Sequence, residues 1–521
     1  MSENSYNFGV GGSMLSHYTH SIDTSNLVDG EPIYYWIDQQ NKEVPGDAGF
    51  VGLVNSTNIT VKDLTLTNNP QGVLLAYTKN SRIERINASN NNLGIYLRYS
   101  SNNTLASNDC GIELSSSSNN TLMNNNASSN NWYGIELSSS SNNMLTNNTA
   151  SNNWYGIYLY SSSNNTFTNN TASNNHGGIW LISSSNNTLT NNILSENSYN
   201  FGVDGYMLSH YTHSIDTSNL VDGKPIYYWI DQQNKEVSGD AGFVGLVNST
   251  NITVKDITLT NNQQGVLLAY TKNSRIERIN ASNNNLGIYL RYSSNNTLAN
   301  NTASNSYHGI WLSSSSNNNT LANNTASNNW YGIELSSSSN NTLANNNASS
   351  NNDDGIELWS SSNNNLTNNT ASNNDCGIYL YSSSNNTLYH NNLINNTNNN
   401  AYDTGTNQWN TSTVGNYYSD YTGSDNDSDG IGDTSYHIPG GSSIDYFPLM
   451  HPWGKTPLKG DLDGDSQITS TDATIALQIA VGNCPCDPKT LTIADVSGDG
   501  RVSSLDALMI LQNCTTSLCR K

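Results

Sequence analysis

The feature that most constrains this chain is a sequence unit that returns about every 22 residues. Each copy carries a Gly-Ile or Gly-Val pair, and runs of Asn and Ser separate the copies. A fixed period of this length indicates a solenoid, in which each copy forms one coil and buries its apolar side chains against its neighbours. The glycines of the pair are Gly72, Gly94, Gly111, Gly134, Gly156, Gly178, Gly287, Gly309, Gly332, Gly355 and Gly377.

The residues within each copy favour short β-strands. In the stretch Gly-Ile-Tyr-Leu-Tyr at 156–160, apolar residues alternate along the chain, and no helical periodicity runs through the first 450 residues. We therefore predict an all-β solenoid over residues 1–400, a right-handed parallel β-helix with coils of about 22 residues. Ile157 and Leu159 should point inward on one sheet, and Leu145 or Phe167 on another.

The Asn and Ser runs should form the corners of the coils. Asn tolerates left-handed backbone conformations, and its amide can bond to the backbone. Identical Asn residues in successive coils would stack about 4.8 Å apart and form amide ladders. A hydrophobic content of 34% can then suffice, because neighbouring coils cover each other.

The chain also contains a longer repeat, of which the 22-residue units form part. Residues 2–106 reappear almost unchanged at 195–299. The duplicated block is less rich in Asn and richer in Tyr and Trp. We expect it to form larger, irregular coils that continue the same solenoid.

Composition narrows the possible partners and location. The net charge of -22 argues against nucleic acid and anionic membrane surfaces. No stretch of about 18 apolar residues exists, so we expect no membrane insertion. The first residues align with mid-solenoid residues 195–197, and no signal peptide is visible. We therefore expect a truncated N-terminus. Glycosylation sequons are frequent, and they favour an extracellular or cell-surface location.

The six cysteines fall into two groups. Cys110 and Cys376 occupy the same position in distant coils and are expected to be free. The other four cluster near the C-terminus, where they could form one or two disulfides or a zinc site. These are Cys484, Cys486, Cys514 and Cys519.

The strongest local motif is a pair of acidic loops, 461–472 and 495–506, each followed by an amphipathic helix. Oxygen side chains at loop positions 1, 3, 5, 9 and 12, with a backbone carbonyl at position 7, suit calcium, which takes six to eight oxygen ligands. We expect the helices at 473–481 and 507–511, with no helix before either loop. The predicted ligands are Asp461, Asp463, Asp465, Gln467, Thr469 and Asp472, then Asp495, Ser497, Asp499, Arg501, Ser503 and Asp506.

Two loop–helix units with Asp at position 12 resemble a type I dockerin module, over 459–521 after a linker at 451–458. The resemblance implies a cohesin module of a scaffold protein as partner. It also implies that the residues before each position-12 Asp contact the cohesin. Here these are Ser470 and Thr471, then Ser504 and Leu505, of which the Ser-Leu pair departs from the common dockerin pattern.

A third acidic motif lies in the segment 401–450, which we expect to close the β-helix. Its alternating carboxylates also suit calcium. They are Asp425, Asp427, Asp429 and Asp433. The flanking runs Gly415–Tyr421 and Asp445–Met450, together with the Gly-Ile repeats, resemble NosD-type β-helix proteins and archaeal cell-surface proteins built from such repeats.

The protein after which the NosD family is named is described as periplasmic and copper-binding, so the resemblance makes copper binding one hypothesis. Copper sites need clustered His, Met or Cys. The solenoid offers His17 and His20 and their duplicates His210 and His213. His-x-x-His along extended chain would place the two rings on opposite faces, so we do not carry the label over as an activity.

A column of residues two positions after each repeat glycine is the candidate sugar site. In the first half it reads Tyr96, Glu113, Glu136, Tyr158, Trp180, and in the second Tyr289, Trp311, Glu334, Glu357, Tyr379. The column should point outward and place adjacent glutamates about 5 Å apart, a spacing that retaining glycoside hydrolysis could use. The aromatic rings could stack on sugars. Alternatively the column is structural. With no Arg or Lys expected nearby, the adjacent glutamates would then repel each other or bind a cation.

Three classes of function follow. The first is a non-catalytic surface protein, with or without contact to carbohydrate, attached to a scaffold through calcium-dependent dockerin–cohesin binding. The second is a polysaccharide hydrolase or lyase tethered in the same way, with the four glutamates as catalytic candidates. The third is a copper-binding NosD-like protein. The near-identity of the coils favours the first, because an enzyme's site should carry unique residues.

Overall fold

A computed structural model describes residues 1, 4, 6–454, 459–462, 468–484, 486 and 488–518, with the backbone alone at 238, 488–489 and 513–518. The chain is an all-β parallel β-helix of about 17 turns, with short helices near the C-terminus. The predicted fold class is therefore confirmed. Asp463, Asp465 and Gln467 of the first calcium loop lie outside the described residues.

The first half of the solenoid is built on two long sheets. One has ten strands: Leu27–Val28, Glu31–Ile37, Phe50–Val54, Gln71–Ala76, Leu93–Arg98, Ile112–Ser115, Tyr133–Ser138, Tyr155–Tyr160, Gly177–Ile182 and Tyr199–Asp204. The other has nine: Gln40–Glu43, Thr57–Lys62, Arg82–Glu84, Thr104–Ala106, Thr121–Met123, Met144–Thr146, Thr166–Thr168, Thr188–Thr190 and Ser214–Ile215.

A thirteen-stranded sheet links the two halves. Its strands are Thr149–Ser151, Thr171–Ser173, Ile193–Ser195, Leu220–Val221, Lys224–Ile230, Phe243–Val247, Gln264–Ala269, Leu286–Arg291, His308–Ser313, Tyr331–Ser336, Asp354–Trp359, Cys376–Tyr381 and Asn399–Asp403. The junction is a hairpin in which Leu220 and Val221 pair antiparallel with Pro225 and Lys224.

The second half carries two further sheets and ends in a hairpin. Eight strands form one sheet: Gln233–Ser238, Thr250–Lys255, Arg275–Glu277, Thr297–Ala299, Thr320–Ala322, Thr342–Ala344, Asn365–Thr367 and Thr387–Tyr389. Five form the other: Thr325–Ser327, Asn347–Ser349, Thr370–Ser372, Asn392–Ile394 and Tyr417–Tyr418. The hairpin pairs Tyr436–His437 with Ile444–Asp445, and 3-10 turns occupy Leu15–His17 and Leu208–Tyr211.

The strand register agrees with the 22-residue period. Ile135 pairs with Ile157 and, two residues on, Leu137 pairs with Leu159. All four are fully buried, so the apolar positions of each strand line the core of the solenoid. We expected the Gly-Ile strands to form one continuous sheet, but those of the first half lie in the ten-stranded sheet and those of the second half in the thirteen-stranded sheet, because the hairpin at residues 220–224 shifts the strand order between the halves.

The repeat glycine is required by the close approach of the next coil. A Cβ atom at Gly134 would lie 2.7 Å from the carbonyl oxygen of Gly156 and 2.8 Å from the amide nitrogen of the Asn153 side chain. Contacts this short would force the coils apart. The glycine therefore marks where the coil turns into the Gly-Ile strand.

Amide ladders at the corners hold successive coils together. At one corner, Asn147 adopts a φ of 55°, a left-handed conformation that Asn tolerates, and the next residue, Asn148, turns inward. Asn148 Oδ1 accepts hydrogen bonds from the backbone N and the Nδ2 of Asn125, at 3.0 and 2.9 Å. Its own Nδ2 donates to Asn170 Oδ1 at 2.9 Å. The predicted ladders are confirmed.

The segment after residue 400 covers the end of the second core. Trp409 and Tyr418 are buried in the same hydrophobic cluster as the last coils. Trp409 Nε1 donates to Asp403 Oδ2 at 2.9 Å, and the Tyr418 hydroxyl donates to Asp445 Oδ2 at 3.1 Å. Burial raises the pKa of Asp445 to about 6, although hydrogen bonds to its carboxylate oppose the rise.

Three helices follow near the C-terminus: α1 (Ser470–Ala480), α2 (Pro488–Ala494) and α3 (Ser504–Leu518). Helix α1 begins three residues before the expected start, because the Thr469 side chain caps it and the Asp472 side chain completes a capping box. The expectation that no helix precedes either loop is wrong, since α2 ends directly before Asp495. Pro488 at the first position of α2 is the signal for it.

The helical part has a small core and an apolar surface. Ala473, Ala476, Ala507 and Ile510 form the buried cluster between α1 and α3. No helix among the described residues is long and apolar enough to cross a membrane.

In the solenoid, Cys110 and Cys376 are buried and free, as predicted. The side chains of Cys514 and Cys519 lie outside the described residues, so the pairing of the four C-terminal cysteines stays a prediction.

Candidate functional site

The predicted sugar column is continuous in each half of the solenoid. In the first half, Tyr96 pairs with Glu113, Glu113 with Glu136, Glu136 with Tyr158 and Tyr158 with Trp180. In the second half, the same pairing joins Tyr289, Trp311, Glu334, Glu357 and Tyr379 in order. The strand register therefore places each pair of glutamates side by side on neighbouring strands.

The column is flanked by aromatic side chains and is less exposed than the sequence suggested; we call the column and these flanking rings the groove. Aromatic side chains just before the repeat glycines form one wall, where Tyr133 and Tyr155 stack with ring centroids 5.5 Å apart. Tyr158 packs against both rings, at 5.2 and 5.1 Å. The glutamates and aromatics of the column are partly buried or buried as a result.

The first pair of glutamates has unlike surroundings. Burial, with a smaller contribution from the neighbouring Glu113 carboxylate, raises the pKa of Glu136 to about 7. Burial also raises the pKa of Glu113, but the nearby Arg98 guanidinium works against the rise. The expectation that no basic group lies nearby is therefore wrong for this pair, because the strand register brings Arg98 from the preceding coil to Ser115.

The second pair has a histidine beside it. His308 Nδ1 lies 2.8 Å from Glu334 Oε2, and the imidazole is stacked between the rings of Trp311 and Tyr331, at 4.7 and 5.0 Å. Sequence reasoning missed His308, which stands just before the repeat glycine Gly309 and outside the predicted column. This contact gives Glu334 a basic partner.

Beyond Glu357 the groove opens into a cleft of about 480 Å³. In this coil, Asp353 and Asp354 replace the Trp-Tyr pair that precedes the repeat glycine at 132–133, 154–155 and 330–331. Burial, then the carboxylates of Glu357 and Asp353, raise the pKa of Asp354 to about 8. Sequence reasoning missed both aspartates, although the break in the repeated Trp-Tyr pair marks them.

The second dockerin loop holds its acidic side chains in an ordered turn. Asp495 accepts backbone hydrogen bonds from Asp499 and Gly500, at 3.0 and 2.7 Å. Burial is the largest influence on its pKa and would raise it, but hydrogen bonds from Gly500, Gly498, Ser497 and Asp499 together hold the pKa below its usual value. The loop thus stabilises a charged carboxylate at position 1.

The position-12 aspartates have matching roles at the starts of α1 and α3. Asp472 accepts from the backbone of Leu462 and Thr469, both at 2.7 Å. Asp506 accepts from the backbone of Ser497 and Ser503, both at 2.8 Å. Both carboxylates are buried. These aspartates therefore tie each loop to its helix.

The donor set fits calcium. In the second loop, Asp495, Ser497, Asp499, Ser503 and Asp506 supply side-chain oxygens, and Arg501 can supply its backbone carbonyl. A calcium ion would offset the mutual repulsion of the carboxylates. The predicted cohesin contacts Ser470, Thr471, Ser504 and Leu505 are all exposed, on the first turns of α1 and α3.

The acidic loop at 425–433 closes in the same way as the second dockerin loop. Asp425 accepts from the backbone of Asp429 and Gly430, at 3.1 and 2.9 Å. One carboxylate oxygen from each of Asp425, Asp427 and Asp429 lies within 4.8 Å of the others. Asp433 instead accepts from the backbone and side chain of Asn426, at 2.8 and 2.6 Å.

The histidines proposed for copper do not converge. His17 lies in a 3-10 turn and not in extended chain, and His20 Nε2 contacts the His17 carbonyl at 2.9 Å. In the duplicate, both ring nitrogens of the buried His213 contact backbone atoms, at 3.3 and 3.1 Å. Within the described residues, the one cluster of three His, Cys or acidic ligands is that of Asp425, Asp427 and Asp429. Neither the separated histidines nor this group of three aspartates fits a copper site, which needs clustered His, Met or Cys.

Fold and loops together define a repetitive β-solenoid with an appended calcium-loop module. The family described as periplasmic copper-binding protein (NosD) matches residues 38–233 and 230–423, and the dockerin type I domain matches residues 459–513. The chain belongs to the NosD family and carries a C-terminal dockerin type I domain. A search of curated proteins finds no match.

Solved β-helix structures are similar at low sequence identity. The Dettilon tailspike protein (gp208) is 14% identical, with a TM-score of 0.23, over 67% of this chain and 62% of its own. The A-module of mannuronan C-5 epimerase AlgE4 from Azotobacter vinelandii is 14% identical, with a TM-score of 0.25, over 61% and 87%. The catalytic domain of a GH87 alpha-1,3-glucanase is 14% identical, with a TM-score of 0.27, over 66% and 64%. The chain thus spans less than two thirds of the tailspike and the glucanase.

Proposed function

We propose that this chain is a non-catalytic, extracellular or cell-surface β-helix protein. It attaches to a cohesin-bearing scaffold through its dockerin in a calcium-dependent manner. Its solenoid then presents the groove of glutamates and aromatic rings to carbohydrate. The dockerin match and the family's periplasmic description support a location outside the cytoplasm.

One observation carries the attachment: the buried Asp472 and Asp506 each join a loop to the first turn of a helix. Calcium in each loop would fix the exposed residues next to these aspartates, Thr471 and Leu505, in one orientation. Without the ion, the like charges of each loop repel, and the small core between α1 and α3 offers little resistance. Calcium therefore controls whether the cohesin-binding surface exists.

Pull-down of the full chain by a panel of type I cohesins tests the attachment. We expect capture in calcium and loss of capture in chelator. Asp506→Ala should weaken capture, whereas Asp240→Ala, in the solenoid, should not. Capture that is equal in calcium and in chelator would refute the calcium dependence, and no capture by any cohesin would count against the attachment.

The calcium proposal extends to the loop at 425–433. Its first and fifth positions make the same backbone hydrogen bonds as Asp495 and Asp499 in the second dockerin loop. Three calcium ions per chain are expected by equilibrium dialysis. Asp427→Ala should reduce the count by one and leave cohesin capture unchanged.

The groove supports carbohydrate contact because aromatic rings flank the pair of glutamates on both sides in each half of the solenoid. Tyr289 and Trp311 stack 4.8 Å apart, and Tyr379 and Tyr402 stack 5.0 Å apart. A polysaccharide array tests this contact. Trp311→Ala should reduce binding, whereas Trp132→Ala, which removes a 62% exposed ring outside the column, should not.

A second candidate function is glycoside hydrolysis or lyase chemistry in the same groove. The observation in its favour is the pair Glu113 and Glu136, since unlike surroundings for two adjacent carboxyl groups are typical of an acid and a nucleophile. The pair Glu334 and Glu357 offers a second such arrangement. Release of reducing ends that Glu136→Gln or Glu357→Gln abolishes would establish the enzyme and refute the non-catalytic proposal.

A further inference from the structure

The cleft beyond Glu357 is lined by two largely buried acidic residues that have no hydrogen-bond partner among the described residues. Asp354 and Glu357 are each 7% exposed and both line the cleft. Within the described residues, neither side chain makes a hydrogen bond, whereas Asp375 accepts one from Asn398 Nδ2 at 2.6 Å. Buried polar groups normally have partners, so this pair indicates a ligand that supplies them.

The charge of the cleft selects the sign of that ligand. Asp353, Asp354, Glu357 and Asp375 line it, and in the part of the chain that the structure describes no Lys, Arg or His is among the lining residues. A recess lined by one sign of charge concentrates its field and attracts the opposite charge. The cleft should therefore bind a cation and repel uronate sugars.

Two observations favour an organic cation over a metal ion. Among the described residues, the group of three or more acidic side chains whose oxygens converge within 4.8 Å is at Asp425, Asp427 and Asp429, outside the cleft. The cleft volume of about 480 Å³ is also in the range of small organic ligands. The spacing of the cleft carboxylates and the volume of the cleft thus suit a molecule larger than a metal ion.

The remaining lining residues suit a ring that carries an ammonium group. Tyr331, Trp359, Tyr379 and Tyr402 face the cleft. Tyr379 and Tyr402 are stacked at an interplanar angle of 7°, and Tyr379 lies beside Glu357 on the paired strand. Aromatic faces attract cations, and the attraction is strongest where water is excluded.

We propose that this cleft binds a protonated amino sugar of a polysaccharide, with its ammonium group at Asp354 and Glu357 and its ring against the tyrosines. The proposal rests on the proposed carbohydrate contact and adds the class of sugar. It also assigns a role to the one coil in which Asp-Asp replaces the Trp-Tyr pair. The first half of the solenoid keeps Trp-Tyr next to Glu136.

Calorimetric titration of the full chain with a glucosamine hexamer tests the proposal, in calcium and again in chelator. The N-acetylglucosamine hexamer is the matched probe, because it has the same length and linkage without the charge. We expect the charged hexamer to bind at least about tenfold more tightly. Glu357→Gln and Asp354→Asn should each weaken its binding by about tenfold or more, as expected when one partner of a buried charge pair is removed.

The control is Glu236→Gln, the same substitution at a surface carboxylate. Glu236 pairs with Lys255, and both lie on the eight-stranded sheet, away from the sheet that carries Glu357. It should bind as the unchanged protein does, and thermal melts establish that all variants are folded. Equal binding of the two hexamers, or an equal loss in the control, would overturn the proposal. So would equally tight binding of a polylysine peptide, or displacement of the hexamer by calcium. If neutral glycans bind and the charged hexamer does not, the amino-sugar assignment fails alone; if no glycan binds, the proposed carbohydrate contact fails with it.

Discussion

Glu357 is paired with Glu334 on the neighbouring parallel strand, and the two carboxyl groups have different partners. Glu334 Oε2 lies 2.8 Å from His308 Nδ1, whereas Glu357 is 7% exposed and faces the acidic cleft. Burial, then the carboxylates of Glu334 and Asp353, raise the pKa of Glu357 to about 8. One pair of identical residues thus holds a glutamate with a basic neighbour and a glutamate that lies among other carboxyl groups.

This difference predicts a pH dependence of stability. The pKa of Glu357 in the folded chain is about 8, above the value of about 4.3 expected in the unfolded chain. Between these values the folded state binds more protons, so the free energy of unfolding should fall as the pH rises from about 5 to about 8. The raised pKa of Asp354 acts in the same direction.

Glu357→Gln should flatten this dependence and make the chain more stable than the unchanged protein at the alkaline end. Denaturant unfolding followed by circular dichroism at several pH values measures it. Glu236→Gln is the control, because Glu236 is exposed and paired with Lys255. An unchanged slope in Glu357→Gln would show that this carboxyl group does not carry the effect.

The repeat made the fold and the candidate column predictable from sequence. Gly-Ile sets the register, and identical coils must place equivalent residues side by side, so the pairing of Glu113 with Glu136 follows from counting. The corner Asn residues were predictable for the same reason. The sequence also located the calcium loops, because the spacing of oxygen ligands is local.

Features that depend on contacts between columns were not predictable in this way. Arg98 reaches the first glutamate pair from the strand before it, and His308 reaches Glu334 from a neighbouring coil. The period gives the strand positions of Arg98 and His308, but it does not show that their side chains turn toward the glutamates. The Asp353-Asp354 substitution was visible in the sequence, but its burial beside Glu357 depends on the shape of the groove.

The amide ladders should contribute strongly to the stability of the solenoid. Asn148 is buried and makes hydrogen bonds with the coils on both sides, including Nδ2 to the Leu122 carbonyl at 3.0 Å. Asn148→Ala leaves these groups without partners and should reduce the free energy of unfolding by about 2–4 kcal/mol. Thr149→Ala, at the exposed next position, should change it by less than about 0.5 kcal/mol. Equal effects in denaturant unfolding would contradict the role of the ladder.

The dockerin should fold only with calcium. We expect the isolated module, residues 459–521, to gain helix on addition of millimolar calcium, as measured by circular dichroism, because the ion supplies folding free energy that the small core cannot. Asp472→Ala should raise the calcium concentration needed, since it removes a position-12 ligand. Thr474→Ala, exposed on α1, is the control. Equal helix content in chelator and calcium would refute this prediction.

The two halves of the dockerin should not bind cohesin equivalently. On α3, Leu505 and Leu508 are 51% and 50% exposed, whereas the corresponding residues of α1 are Thr471 and Thr474, also exposed. An apolar patch at an interface gains more from burial than a hydroxyl that must keep its hydrogen bond. We therefore expect cohesin to prefer the orientation that buries the α3 residues. In calorimetric titration with cohesin and calcium, the double variant Leu505→Thr and Leu508→Thr should bind about tenfold more weakly. The double variant Thr471→Ala and Thr474→Ala should bind nearly as the unchanged module does, and equal losses in both would mean that the two orientations are equivalent.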